Sequence, residues 1–376
     1  MHACGNFPPE KNIGTMEMQG NFFKGLQVIE FSSVLAGPAV GMFFAELGAH
    51  VIKIENKKAG GDLTRHWKQA GEPNSAPASS YYYSVNYHKE IIFLDLSSED
   101  DQRKAQTLVA SADLIITNFK EGDDVKFGVV PAELAGKYPA LIIAEIKGFE
   151  DSGRVAYDAV LQAESGFMSM NGNSASGPVK MPVALIDLLA AHQLKEGILL
   201  ALLHKATSGK GAIISVSLYQ AAIASLANQA SNWLNNGIVP GLQGSLHPNI
   251  APYGERIRTG DDQSILLAIG TDEQFFRLCA ALGDPGLASH TQFQTNALRI
   301  QHRTLLLEEL NKRSIRFSAK DLMSIFIERQ IPAGQIKSLD EVFENPIAKK
   351  MILSQKEPDG TVSKRVKTTA FKIYFS

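Results

Sequence analysis

The sequence predicts an α/β protein with a parallel sheet. Strand and helix patterns alternate repeatedly between residues 26 and 146, which is typical of this fold class. The first three elements form a strand–helix–strand unit, and strands joined by such a crossover pair in parallel. With 376 residues, of which 44% are hydrophobic, the chain can bury a sizeable core and is long enough for two domains.

The first unit is visible in the residues themselves. A strand is predicted over Leu26–Phe31, a helix over residues 39–47, and a second strand over His50–Glu55 after the helix ends at Gly48. The turn after the first strand, Leu35-Ala36-Gly37-Pro38, lacks a GxGxxG motif. It therefore gives little support for a dinucleotide site.

The alternation continues through the first half of the chain. Residues 56–80 are polar and contain Gly and Pro, which predicts a long loop ordered by a ligand or a partner. Strands are then predicted over Glu90–Leu96, Asp113–Thr117, Ala140–Ile146 and Ala212–Ser217, and helices over Glu99–Ala110, Pro131–Tyr138 and Asp187–Ala206. Parallel sheets bind ligands beyond the carboxyl ends of their strands, so the site is expected there.

Four segments are predicted along the chain. Residues 1–24 form a flexible tail, 25–224 a large domain, 225–325 a smaller α+β domain, and 326–376 a return to the large domain. A helix is predicted over Tyr219–Asn235, and its small residues suit close packing against another helix or subunit. Residues 237–258 are expected to be loop-rich, ahead of a strand over Ile265–Ile269.

The composition argues against several classes of function. A formal net charge of −2 disfavours a nucleic-acid partner, which requires a basic surface. No apolar run is long enough to span a membrane and no signal peptide is visible, so no membrane partner is expected. Two cysteines cannot form a disulfide framework, which predicts a reducing, cytoplasmic location. The nine histidines are scattered, so no metal site is expected.

Two acids, Asp158 and Asp187, stand in apolar sequence on either side of a small-residue loop over 171–178. Burying a carboxylate is unfavourable unless it is paired, caps a helix or takes part in chemistry. Asp187 begins an apolar helix, so it is either a helix cap or a nucleophile, and the helix N-terminus favours its ionised form. Asp158 is either a charge at a helix N-terminus or a residue that supports a site.

Several segments, taken in order, resemble the class III CoA-transferases, or CaiB/BaiF family. They are Val34–Pro38, Leu47–Glu55, Gly60–Arg65, Leu94–Leu96, Asn118-Phe119, Gly148-Phe149, Tyr157-Asp158, Gln162-Ala163, Ser165-Gly166, Thr207–Gly211, Val216–Leu218, His247-Pro248, Ala251–Tyr253 and Ile331–Gly334. The resemblance covers about residues 25–350, and the ordered set is more specific than any single piece.

The resemblance implies a Rossmann-like CoA-binding domain with a smaller domain, in a homodimer of two interlocked subunits. It implies transfer of coenzyme A from an acyl-CoA to a carboxylic acid through an anhydride and a thioester of an aspartate. By position, that aspartate is Asp187, and Asp158 is the second acid of the catalytic site. The implied CoA-binding residues are Val34, Leu35, Ala36, Lys57, Leu94, Asn118, Phe119, Lys126 and Tyr157.

The chain departs from the family pattern at positions that bear on the reaction. Leu35 stands where formyl-CoA transferases have a catalytic glutamine, which disfavours oxalate chemistry. Tyr157 stands where the related racemases have a histidine base, which disfavours racemisation. Two alternatives stay open: an acyl-CoA racemase that uses Asp187 with another base such as His192, and a CoA-binding protein without activity. A serine hydrolase is not expected, because GxSxG is absent.

Overall fold

Six strands form the main sheet of this computed structural model, which describes residues 21–150 and 152–374. They are β1 (Gln27–Glu30), β2 (His50–Asn56), β3 (Lys89–Leu94), β4 (Leu114–Thr117), β5 (Ile142–Lys147) and β6 (Ile213–Ser217). Neighbouring strands all pair in parallel, in the order β3-β2-β1-β4-β5-β6. The predicted α/β fold with a parallel sheet is confirmed. Most of the predicted tail, residues 1–20, lies outside the described residues.

The central strands of the sheet are buried, and their order determines where a crevice opens at one edge of the sheet. Ile29 on β1 pairs with Ile52 on β2 and Ile115 on β4, and all three are buried. Strands covered on both faces require such continuous apolar runs. The strand order changes direction between β1 and β4, and the crevice at this switch point opens at the carboxyl ends of the strands.

The described chain divides into two compact units. The first takes in the described residues up to Ser165, together with Met181–Ala230 and the residues from Lys350 onward. Its helices are Ala36–Glu46, Ser80–Tyr83, Glu99–Ala110, Asp123–Phe127, Pro131–Lys137, Asp158–Glu164, Leu185–Ser208 and Leu218–Ala224. The first helix begins at Ala36 rather than at residue 39, because Pro38 fits a first turn, where its missing N–H is not needed.

The segment over residues 56–80, predicted to be ordered by a ligand or a partner, is ordered by its own side chains. Asp62 caps a 3₁₀ turn over Leu63–His66, and Ser79 caps the helix Ser80–Tyr83. Between them, Lys68 Nζ donates hydrogen bonds to three carbonyl oxygens, those of residues 73, 74 and 76. Turn and capping side chains thus satisfy a backbone that has no sheet or long helix to join.

The second unit contains residues 166–180 and 231–349, whereas the sequence predicted a small domain over 225–325. Three strands, Tyr253–Arg258, Ser264–Ala268 and Ala333–Gln335, form an antiparallel sheet. Buried side chains including Phe275, Phe293 and Phe326 form its core. Its helices are Phe167–Met170, Asp272–Ala281, Asn296–Gln301, Arg303–Ser314, Ala319–Glu328, Leu339–Glu344 and Pro346–Lys349.

Three elements differ from the sequence prediction. The helix expected over Tyr219–Asn235 is two helices, Leu218–Ala224 and Ala227–Asn236, and Ala227 has a φ of 48° at the break. The strand Tyr253–Arg258 begins inside a segment expected to be loop-rich. A C-terminal hairpin, Ile352–Lys356 with Val362–Val366, was not expected. Among the described residues, no helix combines the length and apolarity that crossing a membrane requires.

Candidate active site

A cavity of about 670 Å³ opens at the carboxyl ends of β1, β4 and β5. Residues 33–36 after β1, 117–122 after β4 and 145–150 after β5 line it, together with residues 152–157 and Asp187. Its size is in the range of small-molecule and cofactor sites, and it lies where parallel sheets bind ligands.

The cavity brings together most, but not all, of the residues that the sequence assigned to the site. Asp187 lines it with six of the predicted CoA-binding residues: Val34, Leu35, Ala36, Asn118, Phe119 and Tyr157. Lys57, Leu94 and Lys126 are not among the lining residues. Leu94 packs in the core, and Lys126 Nζ lies 5.2 Å from the centroid of the Phe127 ring. A CoA contact by any of the nine assigned residues, whether or not it lines the cavity, stays a prediction.

Asn118 holds the loop that follows β1. The Ser33 N–H donates to Asn118 Oδ1 over 3.0 Å, and Asn118 Nδ2 donates to the Ser33 carbonyl over 2.8 Å. The neighbouring Phe119 ring packs between Phe31 and Phe127, with centroids 5.8 and 5.5 Å away. The amide of Asn118 is thus engaged in shaping one wall of the cavity.

Asp187 is the third residue of the long helix Leu185–Ser208 and is 8% exposed. The residue at the N-cap is Ala184, and no side chain caps this helix, so Asp187 is not its cap. Burial, together with the charge of Asp158, raises the pKa of Asp187 to about 7. The helix N-terminus alone was expected to favour the ionised form, but desolvation outweighs it.

Asp158 is hydrogen-bonded to the backbone at the start of the long helix, next to Asp187. One carboxylate oxygen accepts the Ile186 N–H over 2.7 Å, and the other accepts from Gln162 Nε2 over 2.6 Å. Gln162 Oε1 in turn accepts the Met181 N–H over 2.8 Å. Asp158 is buried and not among the residues that line the cavity, so its contacts fit a positioning role.

Several residues near the cavity were absent from the sequence-based assignment. Burial and the charges of Asp187 and Asp158 raise the pKa of Tyr81 to about 12, so this hydroxyl senses both acids. Lys147 ends β5 and lines the cavity, and its strand-end position could have marked it. Arg154 also lines the cavity; it pairs with Glu164 and lies over the Phe149 ring at 5.1 Å. Nothing in its local sequence indicates this.

Replacing Asp158 with asparagine is expected to move the titration of Asp187 to lower pH. Asparagine can still accept the Ile186 N–H, but it removes the negative charge that helps to raise the pKa of Asp187. The pH at which the carboxylate forms can be followed by the rate of Asp187 modification with a carbodiimide. An unchanged pH dependence would show that the charge of Asp158 does not act on Asp187.

A model of CoA-transferase family III matches residues 23–376. The chain belongs to CoA-transferase family III. It is 36% identical to the succinate–glutarate CoA-transferase of Agrobacterium fabrum, over 92% of this chain and 88% of that protein. It is 31% identical to the succinyl-CoA:glutarate CoA-transferase of Homo sapiens, over 86% of this chain and 73% of that protein. A solved CAIB/BAIF family protein from Brucella suis has a TM-score of 0.80 at 34% identity, covering 95% of this chain and 93% of its own.

These matches confirm the predicted family and decide the kind of enzyme. The chain is a CoA-transferase, so its substrates are acyl-CoA thioesters and carboxylic acids. The relatives are named as transferases, which favours transfer over the racemase and non-catalytic alternatives. Among the described residues, no group of three or more His, Cys, Asp or Glu is arranged to hold a metal ion.

Proposed function

We propose that Asp187 is the nucleophile of a CoA transfer between dicarboxylic acids. A single observation supports Asp187 as the nucleophile. This residue, 8% exposed, lies at the wall of the cavity at the carboxyl ends of the parallel strands. A carboxylate needs no base to become a nucleophile, and low solvation leaves it reactive.

The reaction proceeds in four acyl-transfer steps, each at the carbonyl carbon of a thioester or an anhydride. The Asp187 carboxylate attacks the thioester carbon, the carbon–sulfur bond breaks, and CoA leaves as a thiolate from a mixed anhydride. The thiolate then attacks the aspartyl carbonyl, which releases the donor acid and leaves an aspartyl-CoA thioester. The acceptor carboxylate displaces CoA from this thioester, and the thiolate attacks the acceptor's carbonyl in the second anhydride. The product acyl-CoA leaves, and the carboxylate of Asp187 is restored.

Asp158 and Gln162 support this chemistry without touching the reacting atoms. They hold the backbone at residues 181 and 186, on the approach to the nucleophile and next to it. A fixed backbone keeps the carboxylate within reach of the thioester carbon, which is the main contribution of a positioning contact.

The names of the relatives suggest the substrate class. Succinate and glutarate, named in two transferases that are 36% and 31% identical to this chain, are both dicarboxylic acids. A second carboxylate on the substrate requires a cation or hydrogen-bond donors. Lys147 and Arg154 line the cavity and carry suitable charges. We therefore propose succinyl-CoA as a donor and glutarate as an acceptor.

Trapping with hydroxylamine tests the intermediate. When the protein is incubated with succinyl-CoA and then hydroxylamine, we expect a hydroxamate on Asp187, because both the anhydride and the aspartyl thioester react with this amine. Peptide mass spectrometry locates the modification. The control omits the acyl-CoA. Modification of a different residue, with Asp187 unmodified under turnover conditions, would contradict the proposed nucleophile.

We further propose that the enzyme works as a homodimer. Leu199, Leu200 and Leu203 on the long helix are 41%, 69% and 65% exposed, and they follow the spacing of one helix face. Exposed apolar stripes of this kind are typical of subunit contacts.

A further inference from the structure

A buried ionic cluster adjoins the cavity wall that follows β1. Lys53 Nζ lies 2.9 Å from Glu30 Oε1 and 3.1 Å from Asp62 Oδ2, and these three side chains are at most 1% exposed. Lys89 Nζ pairs with the second oxygen of Glu30 at 2.8 Å. Gly41 leaves space for this carboxylate, since a Cβ there would lie 1.8 Å from Glu30 Oε2.

Two members of the cluster bond to the backbone of the cavity wall. Lys53 Nζ donates to the Ser32 carbonyl over 2.6 Å. The carboxylate of Asp62 accepts the Val34 N–H, with its two oxygens 3.2 and 3.4 Å from the nitrogen. Thr64 donates its N–H and its hydroxyl to Asp62 Oδ1, over 3.0 and 2.8 Å, and so orients this carboxylate.

Val34 needs this support because its backbone is strained. Its φ of 71° lies in the left-handed region, where a β-branched side chain is crowded by its own backbone. Such a conformation persists only where the surroundings hold it, and it is concentrated at functional sites. Val34 itself lines the cavity that contains Asp187.

We propose that Asp62 is a positioning residue for CoA transfer, with Lys53 as its counter-charge. Asp62 keeps Val34 in the left-handed conformation, which sets the shape of the cavity wall and the direction of the amides that follow Val34. This inference rests on the proposed function only in taking the cavity at Asp187 as the place of reaction. Asp62 acts through the Val34 backbone.

A purely structural ion pair would behave differently from a positioning residue. Loss of a structural pair lowers stability whatever residue stands at position 34. Loss of a positioning contact matters most when residue 34 resists a positive φ, and glycine adopts that conformation without steric strain. The identity of residue 34 should therefore change the effect of losing Asp62.

The test is a double-mutant cycle with Asp62→Ala, which removes the acceptor of the Val34 N–H, and Val34→Gly, measured as kcat and KM for CoA transfer. The assay uses succinyl-CoA and glutarate, or the dicarboxylate pair that the wild type turns over fastest. In the Val34 background, Asp62→Ala should lower kcat/KM by about tenfold or more, a change comparable to the strain of a left-handed non-glycine residue. In the Val34→Gly background the fall should be less than about threefold, since no strain remains to be held.

Asp113 provides a matched control, because it pairs with a lysine and accepts a backbone N–H on another part of the sheet. Asp113 accepts from Lys205 Nζ over 2.7 Å and from the Gln27 N–H over 3.1 Å, at the start of β1 and β4. Asp113→Ala should lower the melting temperature, and its effect on kcat/KM should be the same with either residue at position 34. If Asp62→Ala fails to fold, Asp62→Glu retains the charge and displaces the acceptor from Val34, and the same difference between the two backgrounds is expected.

Equal falls in kcat/KM in the two backgrounds would overturn the proposal. The outcome is separate from that of the proposed nucleophile. The cycle compares transfer rates whichever residue reacts, whereas hydroxylamine trapping identifies the reacting residue whether or not Asp62 and Val34 are coupled.

Discussion

Replacing Asp187 with asparagine is expected to lower kcat for CoA transfer by at least about 10³-fold, a loss of about 4 kcal/mol of transition-state stabilisation. The amide has nearly the same size as the carboxylate, so the cavity keeps its shape, but its oxygen is a poor nucleophile. The anhydride then cannot form. Transfer of CoA from succinyl-CoA to glutarate, followed by chromatography of the two thioesters, measures the effect.

Two controls separate lost chemistry from lost structure. Asp187→Glu restores a carboxylate on a longer side chain and should recover little activity, because the position of the attacking oxygen matters. Asp113→Asn removes a paired carboxylate whose hydrogen bonds lie at the start of β1 and β4, and its transfer rate should stay within about threefold of the wild type. Full activity of Asp187→Asn would refute the proposed nucleophile.

Folding stability is expected to rise in the same Asp187→Asn variant. The pKa of Asp187 is raised from its ordinary 3.8 to about 7, so the folded protein binds this proton more tightly than the unfolded chain does. Stability contributed by the group is therefore complete below pH 3.8 and is lost as pH rises toward 7. At pH 8 the asparagine variant should be more stable by up to about 4 kcal/mol.

Urea unfolding of the wild type and of Asp187→Asn at pH 5 and pH 8 measures this gain. The difference should be larger at pH 8, because more of the wild type must then bury a charged carboxylate. Asp113→Asn provides the opposite case, since this acid is paired with Lys205 and its loss should destabilise the protein. A variant that is less stable than the wild type at both pH values would contradict the raised pKa.

The same titration predicts the pH dependence of catalysis. In the proposed mechanism only the carboxylate of Asp187 attacks the thioester, so kcat/KM should fall about tenfold for each pH unit below 7 and level off above it. A gain in stability together with a loss of activity in one variant would be typical of a catalytic residue whose burial lowers the stability of the fold.

The strands and the loops that line the cavity were predictable, because local pattern decides where each strand lies and where it ends. Apolar runs such as Val28–Ile29 and Ile115–Ile116 form parallel strands wherever helices cover both faces of a sheet. Since parallel strands end at one edge, the loops after β1 and β4 had to meet, and Asn118 had to lie near Ser33.

Helix boundaries and the order of the 56–80 loop were less predictable, since they depend on contacts between residues far apart in sequence. The C-terminal hairpin is one example, because Arg365 donates to the carbonyl of Asn86. Another is Lys53, which reads as a polar residue in an apolar strand until Glu30 and Asp62 are placed around it.

By itself, the sequence determined the α/β class and the family, and it singled out Asp187 as the proposed nucleophile. Only the tertiary structure decided the state of that residue. Its pKa depends on burial and on Asp158, and the shape of its cavity depends on Val34, which Asp62 holds in a left-handed conformation. Desolvation and backbone strain arise from the three-dimensional surroundings of a residue, so they cannot be read from the residues adjacent to it in sequence.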